Sequence, residues 1–204
     1  MNLQDFRERF RHHQPVLQEA KGLYAVLVPL IEKEDGLYLL YEVRAAGLRH
    51  HTSEVCFPGG RMEKGETPVE CALRETYEEL GISLDAIDII GQLDFIYLRS
   101  EGLMYPVLAR VDESALSAIT RSEDEVADTF LVPLRFLQDN PPTRYRYALR
   151  PIVDDDFPYD EVHTPPHYTW TPGQMEVPVY HGLPYPLWGL TARITDWLIR
   201  SMEK

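Results

Sequence analysis

Two cysteines in 204 residues are too few for a disulfide framework, and the spacing of Cys56 and Cys71 fits no zinc pattern. Neither is expected to catalyse. No apolar run approaches the roughly 20 residues that cross a bilayer. The opening stretch, MNLQDFRERFRHH, lacks the apolar centre of a secretory signal, and the closing SMEK carries no peroxisomal or lipidation signal. The expectation is a cytoplasmic protein with reduced thiols and no membrane partner. Basic residues are also scarce: 20 Lys and Arg against 33 Asp and Glu leave a net charge of −13. Such a field repels a phosphate backbone, so nucleic acid is not an expected partner. It repels a small phosphate ligand too, unless bound cations and local arginines reverse it. No internal repeat is visible. What remains is ordinary for a globular chain: 44% hydrophobic residues, enough for a core. The length suits a single domain over 1–204 with a Pro- and Tyr-rich elaboration at about 140–172.

The densest pattern runs from Gly59 to Ile82, GGRMEKGETPVECALRETYEELGI. Thr67 and Glu70 form a T-x-x-E capping box, Pro68 suits the first helical position, and Gly81 suits a left-handed stop. The spacing predicts a helix from Pro68 to Leu80. At 100° per residue, Val69, Ala72, Leu73, Thr76 and Leu80 fall on one stripe for packing. Glu75, Glu78 and Glu79 fall together on another face. Like charges at that spacing repel, and the C-terminal end of a helix disfavours anions. A solvated acidic face would explain E-x-x-E-E alone. A hard divalent cation removes both penalties, because carboxylate oxygens suit Mg²⁺, which also binds phosphates.

Those residues resemble the Nudix box, the signature of the Nudix hydrolases: G, five residues, E, seven residues, then R-E-U-x-E-E-x-G-U with U apolar. Gly60, Glu66, Arg74, Glu75, Glu78, Glu79, Gly81 and Ile82 fill it, and Thr76 stands at an apolar position. A second resemblance precedes the box. Leu40 to Gly60, LYEVRAAGLRHHTSEVCFPGG, is similar to the extra motif of the coenzyme A branch, L-L-T-x-R-S, three residues, R, then G-x-V-x-F-P-G-G. Arg44, Arg49, Val55, Phe57, Pro58, Gly59 and Gly60 are in register. Tyr41, Glu42, Ala45 and Ser53 depart from it, standing where that branch prefers Leu, Thr, Ser and Gly. His50 and His51 between the arginines read as a solvated pair, since adjacent histidines seldom chelate one ion.

Along the rest of the chain, Leu3 to Arg11 reads as an amphipathic helix packing Leu3, Phe6 and Phe10 across the domain. Gly22 to Ile31 is a doubly buried strand, and Asp35-Gly36 turns it into a second strand, Leu37 to Arg44. Val55 to Phe57, Ile87 to Tyr97, Leu103 to Val111, Val126 to Val132 and Gln174 to Tyr180 read as strands. Asp112 to Ile119 reads as a short helix, Pro133 opens another, and Pro186 to Met202 is a closing helix with Leu187, Leu190, Ile194, Trp197 and Leu198 as its core stripe. Asn140 to Pro172 shows no period of 2 or 3.6, so a lid, binding loop or disordered stretch is expected. Its Tyr145, Tyr147, Tyr159, Tyr168 and Trp170 suit either stacking on an adenine or anchoring the loop.

The resemblance implies an α/β fold, a Nudix-type α/β/α sandwich around a mixed β-sheet. It implies hydrolysis of a pyrophosphate with Mg²⁺ or Mn²⁺ held by Glu75, Glu78, Glu79 and the Gly59 carbonyl. Arg74 would position a neighbouring carboxylate, and Glu66 would hold the loop or stand behind the ligands. Glu125, or Glu123, would complete the metal site or act as base. Arg44, Arg49 and Arg61 would take the substrate's phosphates, since guanidinium forks suit them. The coenzyme A branch implies coenzyme A or a derivative as substrate, with 4′-phosphopantetheine and adenosine 3′,5′-bisphosphate as products. The shared box equally serves hydrolases of ADP-ribose, ADP-sugars, dinucleoside polyphosphates or oxidised nucleotides. A non-catalytic ligand sensor of the same fold would be expected to lose box carboxylates, and all are present here. A homodimer is compatible with the sequence.

Overall fold

The computed structural model describes residues 1–13, 15–47, 52–99, 101–165 and 168–202. Along the chain run α1 (Leu3–Phe10), β1 (Gly22–Lys33), β2 (Gly36–Arg44), β3 (Val55–Cys56), β4 (Gly59–Arg61), α2 (Pro68–Leu80), β5 (Ile87–Gln92), β6 (Ile96–Leu98) and β7 (Gly102–Val111). They are followed by β8 (Val126–Pro133), α3 (Leu134–Asp139), β9 (Thr143–Leu149), β10 (Gly173–Tyr180), β11 (Leu187–Trp188) and α4 (Gly189–Met202). Short 3-10 turns at Leu84–Ala86 and Glu113–Ala118 complete the set. The residues divide into two compact units, Met1–Leu30 with Pro58–Ser122, and Ile31–Phe57 with Glu123–Lys204.

The first unit holds a mixed sheet. β1 runs parallel to β7, from Gly22 opposite Gly102 to Leu30 opposite Arg110, and antiparallel to β4. β5 and β6 pair antiparallel with β7. Ala25 to Val28 of β1 are buried in succession, as a strand covered on both faces requires. The run expected as one strand from Ile87 to Tyr97 is split. A register shift between Ile89 and Gly91 bends β5, and β6 resumes only at Ile96. Helix α2 packs on β4 and β7. Helix α1 has its capping box, Asn2 with Asp5, but buries nothing. Leu3, Phe6 and Phe10 are exposed, with the two rings stacked on each other, so the expected packing across the domain is absent.

In the second unit β2 pairs antiparallel with β3 and β8, while β9, β10 and β11 form a separate antiparallel sheet. Tyr41 fills the core of this unit, its ring stacked between Phe57 and Phe130 and its hydroxyl against Thr195 Oγ1 at 2.9 Å. Burial drives that phenol's pKa up, so it stays a neutral hydrogen-bonding group. A leucine would fill the space without reaching Thr195. The segment expected to be irregular contains β9. Its TRYRYAL alternates Arg144 and Arg146 with Tyr145 and Tyr147, both sets exposed, so an apolar–polar contrast never arises. Arg146 is tied across the strands to Glu176 at 2.9 Å. Further on, Trp170 meets Phe157 and Tyr168 edge-on, which anchors the segment to itself. The closing helix starts at Gly189, not Pro186, because Leu187 and Trp188 pair with β10. Leu187, Ile194 and Leu198 of its expected stripe are buried.

Across the described residues the fold is α/β with a mixed sheet flanked by helices. No helix there is long and apolar enough to cross a membrane.

Candidate active site

Helix α2 occupies the residues its caps predict. Thr67 Oγ1 accepts the Glu70 amide, Glu70 accepts the Thr67 amide at 2.8 Å, and Gly81 stops the helix at φ 67°. Its buried residues are Cys71, Ala72, Thr76, Glu79 and Leu80. That corrects the predicted stripe: Val69 and Leu73 are half-buried, and a carboxylate, Glu79, takes a core position. The reason lies opposite, in β4. The Gly59 amide donates to Glu79 Oε2 at 2.8 Å, which compensates desolvation of a carboxylate only 4% exposed. Thr76 is compatible with the interior because its hydroxyl donates to the Ala72 carbonyl at 2.6 Å.

The neighbouring glycine serves Glu75. A Cβ on Gly60 would strike the Glu75 carboxylate, coming within 2.8 Å of Oε2 and nearer still to its other atoms. A Cβ on Gly59 would strike the backbone of Ala25 and Val26. Two carboxylates one helical turn apart therefore lie against successive glycines of one strand. Arg74 joins them to the rest of the box. Its Nε donates to Glu66 Oε1 at 2.9 Å, and its Nη1 donates to Glu75 Oε1 at 2.8 Å and to Glu78 Oε2 at 3.0 Å. Nη2 reaches Glu66 Oε2, the Arg61 carbonyl and Cys71 Sγ. The hydrogen bonds it donates to Glu66 push the guanidinium pKa up, so Arg74 is a permanent cation. In return Arg74, with the Glu63 amide, holds the Glu66 carboxyl below its ordinary range.

The expected grouping of Glu75, Glu78 and Glu79 on one face thus divides. Glu79 is buried, Glu75 is half-buried, and Glu78 is exposed and held through Arg74. Among the described residues no three His, Cys, Asp or Glu side chains close up as a ready metal cage. Arg74 Nη1 binds Glu75 and Glu78, and the Gly59 amide binds Glu79. The donor set still fits a hard divalent cation. Its atoms are carboxylate oxygens, and two of them already converge on one positive nitrogen. Of the remaining expected residues in this unit, Arg61 Nη2 donates to the Lys21 carbonyl and its Nε lies over Gly22.

The second unit carries Arg44 and Glu125. They lie at adjacent ends of β2 and β8: the Ala45 amide donates to the Glu125 carbonyl at 2.8 Å, and Arg44 aligns with Val126. The Glu125 side chain is exposed, as is that of Glu123. Among the described residues Arg44 Nε is buried without a hydrogen-bond partner, an atom suited to an anionic acceptor. Arg49, His50 and His51 lie outside the described residues. Two departures from the pre-box motif are explained here. Ser53 sits at φ 59°, the left-handed region that favours glycine, with its amide on the Arg44 carbonyl. Glu42 is buried and accepts the Cys56 thiol at 3.0 Å. One residue that the motif does not specify was expected only not to catalyse. Cys71 places its sulfur between Gly60 and Arg74, and only its position one turn before Glu75 hinted at this.

The NUDIX domain model matches residues 22–155. Nudix hydrolase 3 of Caenorhabditis elegans is 37% identical over 118 residues, 57% of this chain and 49% of that protein. Mitochondrial coenzyme A diphosphatase NUDT8 of Mus musculus is 32% identical over 188 residues, 91% of this chain and 80% of that protein. Peroxisomal coenzyme A diphosphatase NUDT7 of Mus musculus is 33% identical over 114 residues, 55% of this chain and 48% of that protein. The chain thus spans about half the length of two of these relatives and four-fifths of the third. With Glu75 and Glu79 set on the glycine pair and the family model matching well over half of its residues, the chain belongs to the Nudix hydrolase family.

Proposed function

We propose that this protein is a divalent-metal-dependent pyrophosphohydrolase of coenzyme A or its derivatives, releasing 4′-phosphopantetheine and adenosine 3′,5′-bisphosphate. The observation that carries the hydrolase reading is Glu75 and Glu79 set against Gly60 and Gly59, with Arg74 binding Glu66, Glu75 and Glu78. Coenzyme A is favoured by the pre-box register of Arg44 and Arg49 and by the coenzyme A diphosphatases among the relatives. A cytoplasmic setting remains part of the proposal, although the named relatives include a mitochondrial and a peroxisomal protein.

Glu75, Glu78, Glu79 and the Gly59 carbonyl would hold Mg²⁺ or Mn²⁺. When bound, such an ion neutralises charge on the phosphoryl oxygens and acts as a Lewis acid there. The chain supplies the rest. Arg74 holds Glu75 and Glu78 in orientation through its Nη1. Glu125, or Glu123, accepts the proton of the attacking water. Arg44, Arg49 and Arg61 would take the substrate's phosphates, with Arg44 or Arg49 reading the adenosine 3′-phosphate.

A substrate panel tests the reading: coenzyme A, 3′-dephospho-coenzyme A, ADP-ribose, an ADP-sugar, a dinucleoside polyphosphate and an oxidised nucleotide, each with Mg²⁺ and with Mn²⁺. Chromatography of the products is expected to give the two fragments above, with kcat/KM for coenzyme A at least about 10-fold over ADP-ribose. A better substrate elsewhere in the panel overturns the coenzyme A assignment, and no turnover of any member overturns the hydrolase itself.

A further inference from the structure

Cys71 is fully buried on α2, one turn before Glu75. Its thiol lies 3.7 Å from the Gly60 carbonyl, to which it donates, and its sulfur accepts Arg74 Nη2 at 3.7 Å. Arg74 Nη1 in turn binds Glu75 Oε1, and the Glu75 carboxylate rests against Gly60. The contacts close a ring: Gly60, Glu75, Arg74, Cys71 and back to Gly60. The Glu75 carboxylate lies close against Gly60 and accepts from Arg74, and one sulfur contacts both of those residues.

We infer that Cys71 is a positioning residue, which aims the Glu75 carboxylate by tying the Gly60 carbonyl to the Arg74 guanidinium. The inference rests on the hydrolase reading above, in which Glu75 holds the metal. Thiol hydrogen bonds are weak, so little folding stability is at stake. The effect is on aim, and an ion site built on carboxylates depends on how the groups behind the ligands are held. Burial pushes the thiol up to about 12, which keeps it a neutral donor throughout the working pH range.

A small buried cysteine also serves as mere filler, and the two roles order the variants oppositely. Valine fills the space without hydrogen bonds; serine keeps donor and acceptor but fills less. In Cys71→Val the affinity for Mn²⁺ alone, read by electron paramagnetic resonance of the free ion, is expected to fall roughly 10-fold. In Cys71→Ser it stays within about 3-fold of wild type. In turnover, kcat follows the same order while KM moves less than about 2-fold. A third readout needs no metal: the Arg74 Nε–H resonance, identified by its loss in Arg74→Lys, exchanges faster in Cys71→Val than in Cys71→Ser. Should valine match wild type, or serine do no better than valine, the sulfur is filler and the inference is overturned. If one variant does not fold by circular dichroism, Cys71→Ala replaces valine and must fall below serine. Wild type inert toward the whole panel defeats the hydrolase reading, while the order of Arg74 exchange still decides for or against Cys71.

Discussion

Each of the two units contains an arginine–carboxylate knot, and the knots are charged in opposite senses. In the first, one guanidinium serves three carboxylates: Arg74 binds Glu66, Glu75 and Glu78, with Glu79 held separately by a backbone amide. In the second, the carboxylates are outnumbered. Asp196 takes Arg144 on both oxygens, and Arg200 on one; Glu176 takes Arg144 and Arg146. A knot that only fastens α4 to β9 gains by saturating its buried anion, since an uncompensated buried charge is costly. Among the ion pairs of the described residues, the Arg74 knot sets one cation against three carboxylates, an excess of oxygen donors that suits a divalent ion. Surplus charge, not the number of ion pairs, separates the candidate reacting site from the fastening.

The sharpest break of that comparison removes one charge from each knot. Glu79→Gln keeps an oxygen for the Gly59 amide, so fold and melting temperature should hold. Removing the charge is expected to lower kcat about 10³-fold. Asp196→Asn should leave kcat within about 2-fold, because its partners Arg144 and Arg200 are assigned no part in the reaction. Steady-state kinetics on the preferred panel substrate checks both. Equal losses would mean that the two knots are not distinguished by their charge.

Asp196→Ala sharpens the other side. Breaking a well-buried pair costs about 3–5 kcal/mol. Here Asp196 is buried but Arg144 and Arg200 are 37% and 54% exposed, and water screens part of the loss. About 2 kcal/mol is expected, read as a lower urea midpoint with activity intact in the native baseline. A loss of turnover without loss of stability would place Asp196 in the machinery.

The contrast between the knots also tracks what could be read beforehand. The box was legible because its signals are local: a cap, a proline, a glycine stop and a charge spacing all fall within α2 and its flanks. That Arg74 positions a neighbouring carboxylate was an expectation from the family resemblance, and its three carboxylate partners were not foreseen. The burial of Glu79 was not legible, because its compensation comes from the Gly59 amide, 20 residues earlier. The Asp196 knot was invisible for the same reason, since its partner Arg144 lies 52 residues away. β9 was missed because its alternation pairs arginine with tyrosine, and neither reads as apolar. In β2, Tyr41 and Glu42 looked like losses from a motif until Thr195 and Cys56 supplied their hydrogen bonds.

The smallest expected effect concerns acid, and it isolates one limb of the Arg74 knot. Glu66 is held below its ordinary value of 4.5, first by the hydrogen bond from Arg74 and then by that from the Glu63 amide. The folded protein therefore binds this proton less readily than the unfolded chain. Its stabilising contribution is complete above the unfolded value and is lost as pH falls from there through the depressed folded value. Glu66→Gln keeps the shape and removes the titration. The melting temperatures of wild type and variant should differ by a constant above pH 5 and converge as the pH is lowered below about 4. Convergence should be unaffected by Asp196→Asn, because that knot lies in the other unit and shares no partner with Glu66. A gap that stays constant down to pH 3 would show that Arg74 does not hold Glu66 ionised, and the anionic character of the first knot would then rest on Glu75, Glu78 and Glu79 alone.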